Sequence, residues 1–115
     1  MPREYKAYLM DILEAIRKIE NYTKNISFGD FVVDELIQDG VVRNLEVIGE
    51  AVKNIPEYIK DKKPEVEWKK IAGLRDLISH AYFVIDEDII WDAVKNKLPE
   101  LKEKIIEIIS EIERE

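Results

Sequence analysis

Apolar residues recur every three or four positions along most of the chain, which is the period of an amphipathic α-helix. The clearest stretch runs from Tyr5 to Ile19, and another near the carboxyl end runs from Leu98 to Ile112. The last stripe could form a coiled-coil seam, but over so few heptads it favours an ordinary face of a helical bundle. No stretch alternates between apolar and polar residues as a strand does. We therefore predict helices and no strands.

Polar breaks divide the middle of the chain into further predicted helices. Residues 21–25 interrupt the first pattern, and Ser27 with Asp30 three positions later resembles a capping box that opens the next helix. Gly40 interrupts the apolar pattern again and predicts a kink or a break between two helices. A polar segment at residues 61–64 then predicts a surface loop.

Another apolar-rich stretch begins at Trp68 and predicts a helix to about Ala81. The acidic residues 86–88 resemble a helix start, where negative charge meets the positive end of the helix dipole, and that helix reaches about Asn96. We predict that Trp68 and Trp91 anchor the core rather than serve as platforms on which nucleic-acid bases stack. The predicted fold is all-α, an up-and-down bundle of four to five helices.

Composition restricts where and how the protein works. The chain has no cysteine, which excludes disulfides, zinc–thiolate sites and cysteine nucleophiles. Its start lacks the apolar stretch of a signal peptide, and no apolar run approaches the roughly 20 residues of a membrane span. A length of 115 residues suits one domain with a real core. We expect a single soluble domain over 1–115, cytoplasmic and without membrane contact.

The charge balance works against a broad electrostatic grip on nucleic acid. The formal net charge is −7, whereas phosphate binding normally rests on clustered Lys and Arg. One basic segment could supply a local contact, although acidic residues dilute it and a solvated lysine-rich turn explains it equally well. Its basic residues are Lys60, Lys62, Lys63, Lys69, Lys70 and Arg75.

The only histidine, His80, lies in a short cluster of side chains that could take part in catalysis. On a helix Asp76 and His80 share a face, so the carboxylate could orient the imidazole, while Arg75, Ser79 and Tyr82 form a neighbouring face. A cation for phosphate, an imidazole for proton transfer and hydroxyl donors are what phosphodiester cleavage needs. Spacing alone is also compatible with a purely structural helix.

One histidine cannot easily serve as base for the ribose 2′-hydroxyl and as acid for the leaving oxygen. A two-fold dimer with two motifs face to face would place two Arg and two His in one cleft. We therefore predict that any catalysis by this segment depends on a homodimer.

The string Gly-Leu-Arg-Asp-Leu-Ile-Ser-His-Ala-Tyr-Phe at residues 73–83 resembles the RxxxxHxY signature of HEPN proteins, specifically the HepT group encoded beside minimal nucleotidyltransferases. The similarity extends to Arg-Asn-Leu-Glu-Val-Ile-Gly-Glu-Ala at 43–51, to Trp-Lys-Lys-Ile-Ala-Gly at 68–73, and to Trp91 with Leu-Pro-Glu-Leu at 98–101. It covers nearly the whole chain.

This resemblance implies a HEPN-like helical bundle that dimerises and acts as the toxin of a toxin–antitoxin pair. The implied activity is a metal-independent endoribonuclease without cofactor, with Arg75 and His80 catalytic across the dimer cleft and Asp76 and Ser79 in support. It also implies that a cognate nucleotidyltransferase antitoxin (MntA-like) transfers AMP to Tyr82 and silences cleavage. Phosphate charge and a nucleoside beside the arginine would occupy the place of the RNA phosphate.

Two alternatives remain open from the sequence. The chain could be a non-catalytic accessory subunit that binds a nucleotide or positions substrate for a minimal nucleotidyltransferase, with Tyr82 a packing residue. Asn44, Glu46 and Glu50 lie on a polar face of an apolar helix. They could line the dimer cleft or make buried hydrogen bonds between helices.

Overall fold

The computed structural model describes residues 4–80 and 86–114, apart from the side chains of residues 75–80. Within these ranges every regular element is a helix, so the all-α prediction is confirmed. In chain order the elements are α1 (Tyr5–Thr23), α2 (Phe28–Val33), α3 (Glu35–Lys53), α4 (Glu57–Lys60), α5 (Trp68–His80), α6 (Glu87–Asp92), a π-helical turn (Ala93–Lys97) and α7 (Leu98–Glu113).

The four long helices α1, α3, α5 and α7 form the predicted bundle. Helix α3 packs against both α1 and α5, and α7 packs against α1. Ion pairs from Lys6 to Glu113 (3.0 Å) and from Lys102 to Glu20 (3.1 Å) join opposite ends of α1 and α7, so these two helices are antiparallel.

The apolar faces predicted from the sequence meet in one core. The side chains that are fully buried there include Leu9, Ile12, Ile16, Phe31, Leu45, Ile48, Ile59, Leu101, Ile105 and Ile108. None of the described helices has both the length and the apolarity that crossing a bilayer requires.

The break between α2 and α3 lies at Asp34 rather than at Gly40, so the predicted alternative of a break between two helices at the glycine is wrong. The Asp34 carboxylate accepts a hydrogen bond from the Ile37 amide (3.0 Å) and so caps α3. Helix α3 continues through Gly40, and a Cβ at this position would lie 3.0 Å from the Tyr22 ring. The glycine therefore makes room for an aromatic side chain of α1.

Helix α1 extends four residues beyond Ile19, to Thr23. The Thr23 hydroxyl donates a hydrogen bond to the Ile19 carbonyl (2.8 Å) and is buried. Asn25, with φ of 61°, takes the left-handed conformation that ends the segment. The predicted capping box is confirmed, since the Asp30 amide donates to the Ser27 hydroxyl (3.1 Å) and the Ser27 amide donates to the Asp30 carboxylate (3.0 Å).

The last helical region is less interrupted than the sequence predicts. The carboxylate of Asp86 caps α6 through the Ile89 amide (3.2 Å), as expected, but α6 passes into the π-helical turn and directly into α7. Pro99 has no amide hydrogen and cannot donate to the carbonyl four residues before it. A wider turn next to a proline lets the helix continue with the local hydrogen bonding rearranged.

Candidate functional site

The predicted site residues lie at the carboxyl end of α5. Residues 75–80 are helical through His80, so the register puts Arg75 with Ser79 on one face and Asp76 with His80 on another. Arg75 and His80 are separated by about 7.5 Å along the helix axis, at 1.5 Å per residue. The side chains of these four residues, and all of Tyr82, lie outside the described part of the structure.

Trp68 anchors the other end of α5. Its side chain is 9% exposed, and its indole N–H donates to the carbonyl oxygens of Lys60 and Lys63, both at 3.1 Å. Since a buried indole N–H needs a partner, these bonds fix how the loop after α4 meets the start of α5. The prediction of a core anchor at Trp68 is confirmed.

Trp91 in α6 packs against α2. Its ring lies 5.1 Å from the Phe31 ring and 6.1 Å from the Phe28 ring, measured between centroids, and the Lys95 ammonium lies 4.7 Å above it. The half-buried tryptophan is in contact with the core, which agrees with its predicted role. Helix α6 is thereby held against α2.

A groove of 480 Å³ runs along α5 and the region from α6 to α7. Apolar side chains that line it include Ile71 and Leu74 from α5, Ile89 from α6 and Leu101 from α7. The remaining described lining residues are mostly charged, with lysines and carboxylates interspersed. The groove thus lies beside the helix that carries the motif and has no net positive character suited to RNA phosphates.

The basic segment predicted as a possible phosphate contact is partly neutralised within the chain. Lys63 donates to Glu111 (2.9 Å) and lies 3.1 Å from a Glu107 oxygen, both on α7. Lys70 pairs with Glu67 at 2.6 Å. The Lys63 pairs tie the loop to α7, and together these ion pairs offset part of the positive charge of the segment.

The same ion pairs shift the pKa values of the groups that form them. Hydrogen bonds to Glu111 and then Glu107 raise the pKa of Lys63, and the bond from Lys63 lowers the pKa of the Glu107 carboxyl. Lys70 lowers the pKa of Glu67 in the same way. All of these groups are therefore held in their charged forms near neutral pH.

Asn44, Glu46 and Glu50 do not act as one unit. Asn44 is buried and donates to the Gly40 carbonyl of its own helix at 2.8 Å. Glu46 and Glu50 instead line an open cleft of 360 Å³ between α3 and α1. The cleft is completed by side chains that were not predicted from the sequence as site residues: Tyr8 and Asp11 of α1 and Arg43, Val47 and Ala51 of α3. Three-residue steps on each helix are the local signal that could have indicated it.

Among the described side chains, no group of three His, Cys, Asp or Glu is arranged as a metal site.

Comparison with known proteins identifies the family. The sequence profile of the ribonuclease HepT-like family matches residues 12–108, a span that includes all of α5. A protein of Methanocaldococcus jannaschii named as a candidate RNase is 48% identical, over 100% of this chain and 96% of its own length. A protein of Thermococcus cleftensis named as a probable ribonuclease HepT is also 48% identical, over 90% of this chain and 94% of its own.

A bacterial relative from Caldanaerobacter subterraneus subsp. tengcongensis, also named as a candidate RNase, is 42% identical over 90% of this chain and 93% of its own length. No solved structure shows significant similarity to this chain. The match of the family profile and these near full-length relatives agree with the resemblance carried by the motif. The chain belongs to the ribonuclease HepT-like family.

Proposed function

We propose that this chain is a metal-independent endoribonuclease whose chemistry is carried by Arg75 and His80. The observation that carries the proposal is the family match over residues 12–108, because it includes the helix on which both residues lie. Arg75 binds the scissile phosphate, and His80 takes the proton of the ribose 2′-hydroxyl, whose oxygen attacks phosphorus. The leaving 5′-oxygen is protonated by a second acid. Asp76 and Ser79 support the imidazole and the phosphate by their positions on the two faces.

Cleavage of RNA in the presence of EDTA tests this proposal. The parent chain is expected to degrade RNA under these conditions, and Arg75→Ala is expected to lose most of that activity because the transition-state charge loses its cation. Intact RNA with the parent chain, or equal cleavage by the variant, would sink the assignment.

The second acid is supplied by a second chain in a homodimer with two motifs in one cleft. A domain of 115 residues with one histidine supports this arrangement, since each chain can provide one imidazole only. Mixing parent chains with His80→Ala chains yields mixed dimers that keep one imidazole and therefore lack the acid from the second chain. We expect cleavage to fall more steeply than the fraction of parent chains in the mixture; activity in direct proportion to that fraction would count against a shared cleft.

The cellular role that fits a ribonuclease of this kind is the toxin of a toxin–antitoxin pair. A cognate minimal nucleotidyltransferase (MntA-like) silences it: the Tyr82 oxygen attacks the α-phosphorus of ATP, pyrophosphate leaves, and AMP remains on the tyrosine. Intact-mass measurement after incubation with partner and ATP should show one added adenylyl group. An unchanged mass, or an equal gain in Tyr82→Phe, would refute the switch.

A non-catalytic accessory role has one specific observation in its favour. The chain carries a net charge of −7, and lysines near the motif helix are ion-paired with glutamates, which suits contact with protein better than with RNA. This role predicts co-elution with the nucleotidyltransferase in gel filtration and no RNA cleavage. Separate elution would reject it.

A further inference from the structure

The junction of α2 and α3 exposes two large apolar side chains. Val33 is 79% exposed and Leu36 is 81% exposed, more than any other large hydrophobic residue among those the structure describes. They flank Asp34, which ends α2 and caps α3. Residues 30–39 are called the α2–α3 corner below. Single exposed apolar residues are common on protein surfaces, but two that are almost fully exposed and close in sequence indicate a contact surface.

The chain segment that forms this corner carries charge of one sign. Residues 25–42 contain four carboxylates, Asp30, Asp34, Glu35 and Asp39, and no lysine or arginine. Two of the carboxylates are engaged as helix caps. Glu35 and Asp39 are exposed, so the apolar pair lies within an acidic rim.

The corner lies at the end of the bundle where α5 ends and α6 begins. Helix α5 starts beside the loop that follows α3 and α4, fixed there by Trp68, and packs along α3, so it runs back toward the start of α3. Helix α6 is held against α2 by the contacts of Trp91 with Phe28 and Phe31. A protein bound at the corner would therefore be close to the carboxyl end of α5.

The acidic rim decides what can bind. Residues 25–42 carry four carboxylates and no lysine or arginine of their own, so this stretch disfavours contact with RNA phosphates. A second copy docked by a two-fold axis would place the same patch on itself, and hence carboxylates against carboxylates. The complement is a different protein surface, with lysine or arginine around a pocket that receives Val33 and Leu36.

We propose that the α2–α3 corner is the docking surface for the nucleotidyltransferase partner, which presents a cationic rim around an apolar pocket. This inference rests on the pairing given under Proposed function. Binding at the corner brings the partner close to the carboxyl end of α5. The Tyr82 acceptor comes two residues after that end in the sequence. Apolar contact supplies affinity, and the opposite charges supply orientation and a fast association rate.

Two sets of substitutions test the docking surface, with the partner nucleotidyltransferase as the probe in a calorimetric titration. Val33→Ser with Leu36→Ser removes the apolar pair, and Glu35→Gln with Asp39→Asn removes the charges that cap no helix. All four side chains are exposed, so folding, checked by circular dichroism, should be unaffected. The matched control is Met10→Ser with Ile106→Ser, which changes residues that are 50% and 48% exposed on α1 and α7.

We expect the apolar double variant to raise Kd at least 10-fold and the charge variant to raise Kd several-fold with a weaker dependence on salt. The control should stay within twofold of the parent, and RNA cleavage by all three variants should match the parent. If the parent binds and all variants bind with equal affinity, or if the control loses as much affinity as the corner variants, the corner is not the docking surface. The pairing with the nucleotidyltransferase is then unaffected. If the parent itself does not bind, both the pairing and the docking surface are overturned.

Discussion

Replacing Gly73 with alanine should stabilise the helix that carries the motif. Gly73 lies inside α5, two residues before Arg75, and a Cβ built there meets no described heavy atom within 4 Å. Alanine is favoured over glycine in a helix interior by about 1 kcal/mol, because the unfolded chain loses less conformational freedom. For a domain of this size that corresponds to a rise in Tm of about 4 °C.

Gly40 provides the matched comparison. The gain in helix propensity is the same in α3, but the new Cβ would lie 3.0 Å and 3.1 Å from two carbons of the Tyr22 ring. The ring must shift by a few tenths of an ångström, so Gly40→Ala should gain clearly less than Gly73→Ala. In a Tyr22→Ala background the obstacle is gone, and Gly40→Ala should recover the full gain of about 1 kcal/mol.

Urea unfolding followed by circular dichroism measures these differences. Unchanged m-values with shifted midpoints identify a change in stability. The reasoning is refuted if Gly73→Ala lowers the free energy of unfolding, or if Gly40→Ala stabilises the parent as much as Gly73→Ala does.

Three further substitutions test the packing and the ion pairs. Trp68→Phe removes the indole N–H that donates to two carbonyl oxygens and should lower the free energy of unfolding by about 1–3 kcal/mol. A loss below about 0.5 kcal/mol in urea titrations is typical of surface substitutions and would argue against the anchor. Ile48→Ala empties a fully buried position and should cost about 2–5 kcal/mol, whereas an unchanged midpoint would contradict the core. The pKa of Glu107 is lowered, chiefly by Lys63, so its contribution is present at pH 7 and is lost as pH falls through that depressed value. Glu107→Gln should therefore destabilise the chain at pH 7 and much less at an acid pH below that lowered pKa, and an equal effect at both would count against the ion pair.

Much of the fold follows from local sequence patterns. The helical period, the box formed by Ser27 and Asp30, and the cap at Asp86 each depend on residues within four positions of one another. Trp68 was predictable as an anchor because a large amphipathic ring at a helix start gains most from burial.

Features that depend on distant partners could not be predicted in this way. Gly40 resembles a helix breaker until the Tyr22 ring of α1 is placed beside it. The pairing of Lys63 with Glu107 and Glu111 likewise depends on α7 lying against the loop, so a basic run that suggested phosphate binding is in part an internal tie.

The same distinction between local patterns and distant partners applies to the candidate site. Helical register puts Arg75 with Ser79 and Asp76 with His80 on shared faces, and the structure confirms that α5 is helical through residue 80. The open cleft that contains Glu46 and Glu50 was not predicted, because Tyr8 and Asp11 approach it from another helix.

Side-by-side rates of RNA cleavage by the parent and by His80→Ala, in EDTA, test the central claim most directly. General acid–base catalysis is worth roughly 10²–10⁴-fold, so we expect the variant to be slower than the parent by about that factor. The control Asn96→Ala removes only an exposed side chain that is hydrogen-bonded to Asp92, and it should cleave at the parental rate. Cleavage by His80→Ala at the parental rate would contradict the account.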